Sequence, residues 1–225
     1  MHIGLIGGIG VAATLVYYQR LTAAVAAKGV SPELTIVHAD AQVLVKNNLA
    51  DDREAQAAVY LPLLERLKAA GCDCAAITSL GGHFCFEETA AISPLPLVSA
   101  VTPLDAYFAD EGLETVGLLG TEVVMRTRLY GQLAKTTAIA PENTQEVGGA
   151  YLNIALSGAC SDDQRAYFMA EGAALIERGA EAVILAGTDL GLAFDGQSPG
   201  YRVIDALDVH VDLLARLSVG EASLD

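Results

Sequence analysis

Ile3-Gly4-Leu5-Ile6-Gly7-Gly8-Ile9-Gly10 opens the chain, and its first five residues return as Val116-Gly117-Leu118-Leu119-Gly120. The same spacing carries Thr14 to Thr127, Tyr17 to Tyr130 and Gln19 to Gln132. A second pair of segments matches at a slightly shorter spacing. Ala70-Gly71-Cys72-Asp73-Cys74-Ala75-Ala76-Ile77 corresponds to Arg178-Gly179-Ala180-Glu181-Ala182-Val183-Ile184-Leu185, which sets Ser79 against Gly187. Self-similarity near half the chain length predicts two related half-domains rather than a solenoid, whose units are several-fold shorter. Two such halves would face each other across a cleft, with equivalent residues approaching a ligand from opposite sides.

Around the repeat, short apolar runs read as buried strands at residues 2–6, 34–38, 74–78, 97–100, 115–119, 182–185 and 202–204. Helical patterns lie between most of them, at 12–27, 53–70, 161–178 and 208–217. Ala58, Leu61, Leu64 and Leu67 follow the i, i+3 rhythm of one helix face. Gly71 and Gly179 stand where a helix gives way to a strand, and Ser161-Asp162 starts a helix as cap and first-turn acid. Strand and helix alternating in this way predict an α/β fold of two pseudo-symmetric parallel-sheet domains related by internal duplication, with a cleft between them. The expected division is 1–98 plus 207–225 for the first half, whose final helix returns to it, and 99–206 for the second. The Gly-, Ser- and Pro-rich segment 193–200 reads as a loop.

The 225 residues are 52% hydrophobic, enough for a sizeable core, and carry thirteen basic against twenty-eight acidic side chains, a net charge of −15. That field repels polyanions, which argues against a nucleic-acid or anionic-membrane partner. No apolar run reaches the ~18 residues of a membrane span, and the N-terminus lacks a basic leader. The four cysteines (Cys72, Cys74, Cys85, Cys160) show neither CxxC spacing nor a disulfide framework, which suits a reducing, cytoplasmic compartment.

The turn Gly7-Gly8-Ile9-Gly10 follows the first strand and opens the first helix. Read as G-x-G-x-x-A from Gly8 to Ala13, it matches a relaxed dinucleotide fingerprint, in which amides at a helix N-terminus hold an anion. No acidic residue ends the second strand at the expected distance, and Asp40 comes about ten residues late. A tight strand-to-helix turn explains the glycines equally well.

Together these segments resemble the aspartate/glutamate racemase superfamily, which is independent of pyridoxal phosphate. The run from Gly4 to Leu21 is similar to that family's first strand, glycine turn and Thr-x-x-Tyr-Tyr helix. The run from Gly117 to Leu133 is similar to the start of its second domain, and Val203-Ile204-Asp205 to its closing strand. The resemblance implies two domains with a substrate cleft, no cofactor, and a homodimer. It also implies that two cysteines serve as acid and base, one on each face of the α-carbon. Here Ser79 takes the place of the first, in Thr78-Ser79-Leu80-Gly81-Gly82-His83, and Gly187 that of the second, in Ala186-Gly187-Thr188-Asp189.

The substitutions have a chemical consequence. A thiol with a pKa near 8.5 can be tuned towards neutrality, whereas a serine hydroxyl cannot and a glycine offers nothing. Ser79, His83, Gly187 and Asp189 are the candidate catalytic positions. Ser79 and His83, spaced i, i+4, would meet on a helical turn, although a histidine satisfied by backbone accounts for His83 more simply. Cys85 reads as core packing. For the ligand carboxylate the resemblance implies Arg126 in place of the family's lysine, and Lys46 or Arg53 in place of its lid arginine. Arginine would grip a carboxylate with two donors. Gly8, Thr14, Thr127 and Thr188 supply further donors, while Arg126 and Arg128 also fit plain solvated surface charge.

Three functions therefore compete. The first is an amino-acid racemase or isomerase working by a rearranged mechanism. The second is a lyase or decarboxylase on the same scaffold, with Ser79, His83 and Asp189 orienting the substrate. The third is a non-catalytic binder of a small carboxylate or acidic amino acid. A dinucleotide site ranks behind all three.

Overall fold

In the computed structural model, which describes residues 1–224, the repeated Ile-Gly-Leu-Ile-Gly stretch is an interior strand of a sheet in each half. The first sheet is built from β1 (His2–Gly7), β2 (Glu33–His38), β3 (Cys74–Ile77) and β4 (Leu97–Val98), in the order β2-β1-β3-β4. The second uses β5 (Thr115–Gly120), β6 (Thr137–Ile139), β7 (Ala182–Ala186) and β8 (Val203–Asp205), in the equivalent order β6-β5-β7-β8. Every pairing is parallel; Ile3 sits opposite Leu34 and Cys74, and Gly117 opposite Ile139 and Val183. Strands β3 and β7 are buried along their whole length, as parallel strands covered on both faces must be.

Helices flank and connect the strands: α1 (Val11–Ala27), α2 (Ala41–Leu49), α3 (Arg53–Ala69), α4 (Phe86–Ile92), α5 (Thr102–Asp110), α6 (Glu122–Arg126), α7 (Thr144–Ser157), α8 (Asp162–Glu177), α9 (Gly191–Phe194) and α10 (Ala206–Ser218). The repeat's glycines make room for them. A Cβ on Gly4 would lie 2.9 Å from Leu67 Cδ1 of α3, and one on Gly117 would lie 2.8 Å from Leu175 Cβ of α8. A strand residue without a side chain therefore lets a helix leucine press onto the backbone in both halves.

The chain divides into two compact units, Met1–Ala100 with the stretch from Asp208 onward, and Val101–Leu207. Helix α10 is tied into the first unit. The N-terminal ammonium donates to Ser218 O (2.7 Å), Tyr17 Oη lies 2.8 Å from His210 Nδ1, and Arg20 pairs with Asp208 at 2.7 Å.

Local signals account for most of the element ends. Asp40, Asp52 and Ser161 cap α2, α3 and α8, the last in a reciprocal capping box with Gln164. Several elements go beyond the sequence reading. Strand β6 is only three residues long, and α7 carries Gly148-Gly149 in its middle, a pair that lowers helix propensity by about 1 kcal/mol each. Gly148 is there for contact, since a Cβ would sit 2.6 Å from the Glu122 nitrogen at the start of α6. The strand expected over 97–100 stops at Val98, because Ala100 turns its N–H to the His83 ring at 3.0 Å.

Candidate functional site

Ligands of parallel α/β sheets bind beyond the carboxyl ends of the strands. In the first unit β1 ends in Gly7, and the chain turns through Gly8 (φ 87°) and Gly10 (φ 133°) into α1. Both φ values lie in the region that favours glycine. A Cβ on Gly8 would also fall 2.6 Å from Ala39 O and against the His38 ring. The turn spends its own polar groups. Gly8 N–H donates to Thr14 Oγ1 (3.0 Å), and that hydroxyl donates to Gly10 O (2.9 Å). Thr78 Oγ1 donates to Ile6 O (3.0 Å) and lies 3.2 Å from Thr14 Oγ1. The Gly8 amide is thus engaged inside the turn, and Thr14 staples that turn to the end of β3.

Beyond β3 the chain makes a 3-10 turn, Gly81–Cys85. Ser79 is 4% exposed, and its Oγ accepts from Gly82 N–H (3.2 Å). His83, 2% exposed, sits 2.7 Å by Nδ1 from the Ser79 carbonyl, while its Nε2 receives the Ala100 N–H at 3.0 Å. A carbonyl only accepts and an amide only donates, so the ring carries its proton on Nδ1 and both nitrogens are occupied. Ser79 and His83 do meet, through the serine's backbone rather than its hydroxyl. Burial pushes the His83 pKa down to about 4 against the opposing pull of the Ser79 carbonyl, so the ring stays neutral at pH 7. Cys85 is buried beside Thr89 and the Gly82 carbonyl, and burial pushes its thiol up to about 11.

The first unit's two candidate cations are Lys46 and Arg53. Lys46 is exposed in the last turn of α2, where it complements the helix dipole. Arg53 is paired with Asp51 (3.1 Å) and with Glu88 (3.8 Å). Asn48, which the sequence reading passed over, reaches from α2 to donate to the Gly81 carbonyl at 3.2 Å.

In the second unit Gly187 follows β7 directly. Its backbone is extended (φ −134°, ψ 115°), a conformation open to any residue. The glycine is demanded by a neighbour: a Cβ there would lie 2.8 Å from Cζ and 2.9 Å from Cδ2 of Tyr151, and closer still to Cε2. Tyr151 projects from α7, is 3% exposed, and donates its hydroxyl to Asp189 Oδ2 at 3.3 Å. Burial, with the Asp189 carboxylate beside it, holds the phenol well above the ordinary tyrosine range. Thr188 and Asp189 are each 2% exposed. The Thr188 hydroxyl stands near the phenol but makes no hydrogen bond of normal geometry.

Arg126 ends α6 and is exposed, as is Arg128; neither forms an ion pair with the described residues. Thr127 turns its hydroxyl inward, donating to Val123 O (2.6 Å) and accepting from Tyr130 N–H (3.1 Å). Arg128, Leu129 and Tyr130 then adopt left-handed φ values of 52°, 56° and 59°. Left-handed backbone costs about 1–2 kcal/mol at each non-glycine residue, and such strain concentrates at functional segments. Arg126 is thereby delivered beside a strained, one-turn connection.

Tyr151 escaped the sequence reading because α7 did. The signal was present: Asn143 caps the helix by accepting from Glu146 N–H, three residues on, and Gly158 closes it at φ 67°. Among the described residues no group of three or more His, Cys, Asp or Glu side chains is arranged to hold a metal ion. No described helix is long and apolar enough to cross a membrane.

Two parallel four-stranded sheets, each covered by helices and each carrying its polar residues at the strand ends, define a two-unit α/β protein of the racemase type. The chain belongs to the Asp/Glu/hydantoin racemase family, whose model matches residues 6–214. Solved structures share the fold. A candidate Asp/Glu racemase from Yersinia pestis is 23% identical with a TM-score of 0.80, over 97% of this chain and 100% of that one. An aspartate racemase homologue from Pyrococcus horikoshii is 22% identical with a TM-score of 0.76, over 97% and 99%. The aspartate racemase of Picrophilus torridus is 17% identical with a TM-score of 0.77, over 100% and 96%. No curated protein matches the sequence.

Proposed function

We propose that this racemase-family protein binds a small carboxylate, an acidic amino acid or dicarboxylate, at the carboxyl ends of its two sheets, and that it does so without two-thiol racemisation. One observation carries the reading: the residues after β3 and β7 are Ser79 and Gly187, and the side-chain space at Gly187 is filled by Tyr151. By resemblance these are the positions of the family's acid–base cysteines. The nearest alternatives are held away from proton exchange at neutral pH, His83 at about 4 and Cys85 at about 11. Arg126, Thr188 and Lys46 are the proposed ligand-holding side chains, with Arg126 as carboxylate anchor; Gly8, Thr14 and Thr127, whose own donors are spent inside their turns, serve the site by shaping those turns. A pooled set of aspartate, glutamate, succinate and malate, watched by ligand-observed NMR, tests this. At least one resonance should broaden with the native protein and sharpen with Arg126→Ala. Unbroadened lines throughout would reject the reading.

A lyase or decarboxylase is the second reading, favoured by the contact between Tyr151 and Asp189. A phenol that keeps its proton beside a carboxylate can deliver from one face only, and new product resonances in the same experiment would select it. The four free cysteines support a reducing cytoplasmic compartment. The family resemblance supports a homodimer, to be checked as a solution mass near twice 23.4 kDa.

A further inference from the structure

Gly187 and Tyr151 depend on each other. The backbone at Gly187 would accept any residue, so the glycine reflects the ring that occupies its side-chain space. The ring is in turn fixed at three points. It sits on the buried face of α7 with Val147, Gly148 and Ile154, its helix is pressed onto Glu122 through Gly148, and its hydroxyl is given to Asp189. Moving the ring aside would break that hydrogen bond and leave a buried hydroxyl and carboxylate to be satisfied elsewhere. Packed interiors absorb such an intrusion poorly.

We propose that Tyr151 is the specificity-determining residue of the second unit: its ring takes the side-chain place at position 187 and excludes thiol chemistry from that strand end, leaving a phenol–carboxylate pair in its stead. The inference deepens the proposed function and rests on it for the meaning of position 187. It follows that a cysteine cannot be restored there by a single change. Thiol chemistry returns only when residue 151 is cut back as well, and Tyr151→Leu does this while keeping apolar bulk beside the helix.

Two readouts separate this proposal from the reading beneath it. The first is a double-mutant cycle in thermal unfolding. Gly187→Ala should lower Tm by roughly 4–10 °C in the native background, the cost of overpacking a core. In the Tyr151→Leu background it should lower Tm by less than about 2 °C, because the colliding ring atoms are gone. Equal losses in both backgrounds would overturn the proposal. If Gly187→Ala fails to fold while Gly187→Ala/Tyr151→Leu folds, the same coupling is shown more strongly.

The second readout is loss of the α-proton signal of aspartate and glutamate in D2O. Ser79→Cys/Gly187→Cys should exchange no more than native protein, and adding Tyr151→Leu should raise exchange by at least 10-fold. Exchange by the double variant alone would overturn the role of Tyr151. A coupled stability cycle with a silent triple variant would keep the steric role of Tyr151 and reject the family reading of the strand ends.

Discussion

The two units share a strand order, a glycine pattern and their repeat, yet they use the segment after the first strand in opposite ways. In the first unit, α1 runs unbroken for 17 residues and Tyr17 is fully buried against His210. In the second, α6 stops after five residues, and the equivalent stretch passes through left-handed Arg128, Leu129 and Tyr130. The first turn needs glycine at Gly8, whereas its counterpart Thr121 is an extended cap that accepts from Val124 N–H at 3.2 Å. Equal sheets therefore do not make equal sites. The first unit knots its strand ends with backbone hydrogen bonds through Thr14 and His83, and the second fills its own with the Tyr151 ring.

The sharpest way to break this comparison is to put alanine at the paired turn positions. Gly8→Ala adds a left-handed penalty to a collision with Ala39 O and should cost about 3–5 kcal/mol, lowering Tm by roughly 6–15 °C. Thr121→Ala removes only a cap and should cost about 1 kcal/mol. Thermal unfolding of both variants decides it, and equal losses would mean that the two turns are not built differently.

Acid should sharpen the contrast next. An unfolded histidine takes up a proton near pH 6.5, whereas native His83 resists down to about 4 and His210, buried beside it, to about 3. Between those values the unfolded chain binds more protons. Stability is therefore full above pH 6.5 and falls as pH drops through the window. His83 alone should account for about 3 kcal/mol of that loss by pH 4. Urea unfolding at stepped pH should show the loss reduced by that amount in His83→Gln, and an unchanged pH slope would contradict a neutral, doubly bonded His83.

The smallest effect differs in sign between the halves. Leu15 and Arg128 are equivalent in the repeat and both exposed, one inside α1 and the other left-handed. Leu15→Gly should destabilise by about 1 kcal/mol through lost helix propensity. Arg128→Gly should stabilise by about 1 kcal/mol through relief of the left-handed backbone. Shifts of the same sign in thermal unfolding would remove the strain argument.

Much of the fold was legible because burial on both sheet faces writes continuous apolar runs, and because the strand glycines recur wherever a helix leucine lands on the backbone. What escaped had physical causes. Helix α7 hid behind Gly148-Gly149, of which Gly148 serves the approach to Glu122 and not helix propensity, and with it went Tyr151. The left-handed stretch carries ordinary residues at Arg128 and Leu129, so composition gives no warning of it. That Ser79 and Gly187 carry no thiol could be read from the residues themselves. A His83 satisfied by backbone was legible from its i, i+4 spacing to Ser79, whereas its second partner, the Ala100 N–H seventeen residues away, follows from no local pattern.

The most direct test of the account is proton NMR of L-aspartate and L-glutamate in D2O with the native protein, followed by chiral analysis of the recovered amino acids. The account expects ligand lines that broaden while the α-proton integral holds and no D-enantiomer forms. Loss of the α-proton together with the D-enantiomer would contradict it, because inversion requires working acid–base groups on both faces of the α-carbon, and the proposal denies that chemistry to Ser79 and to the Tyr151-filled position 187.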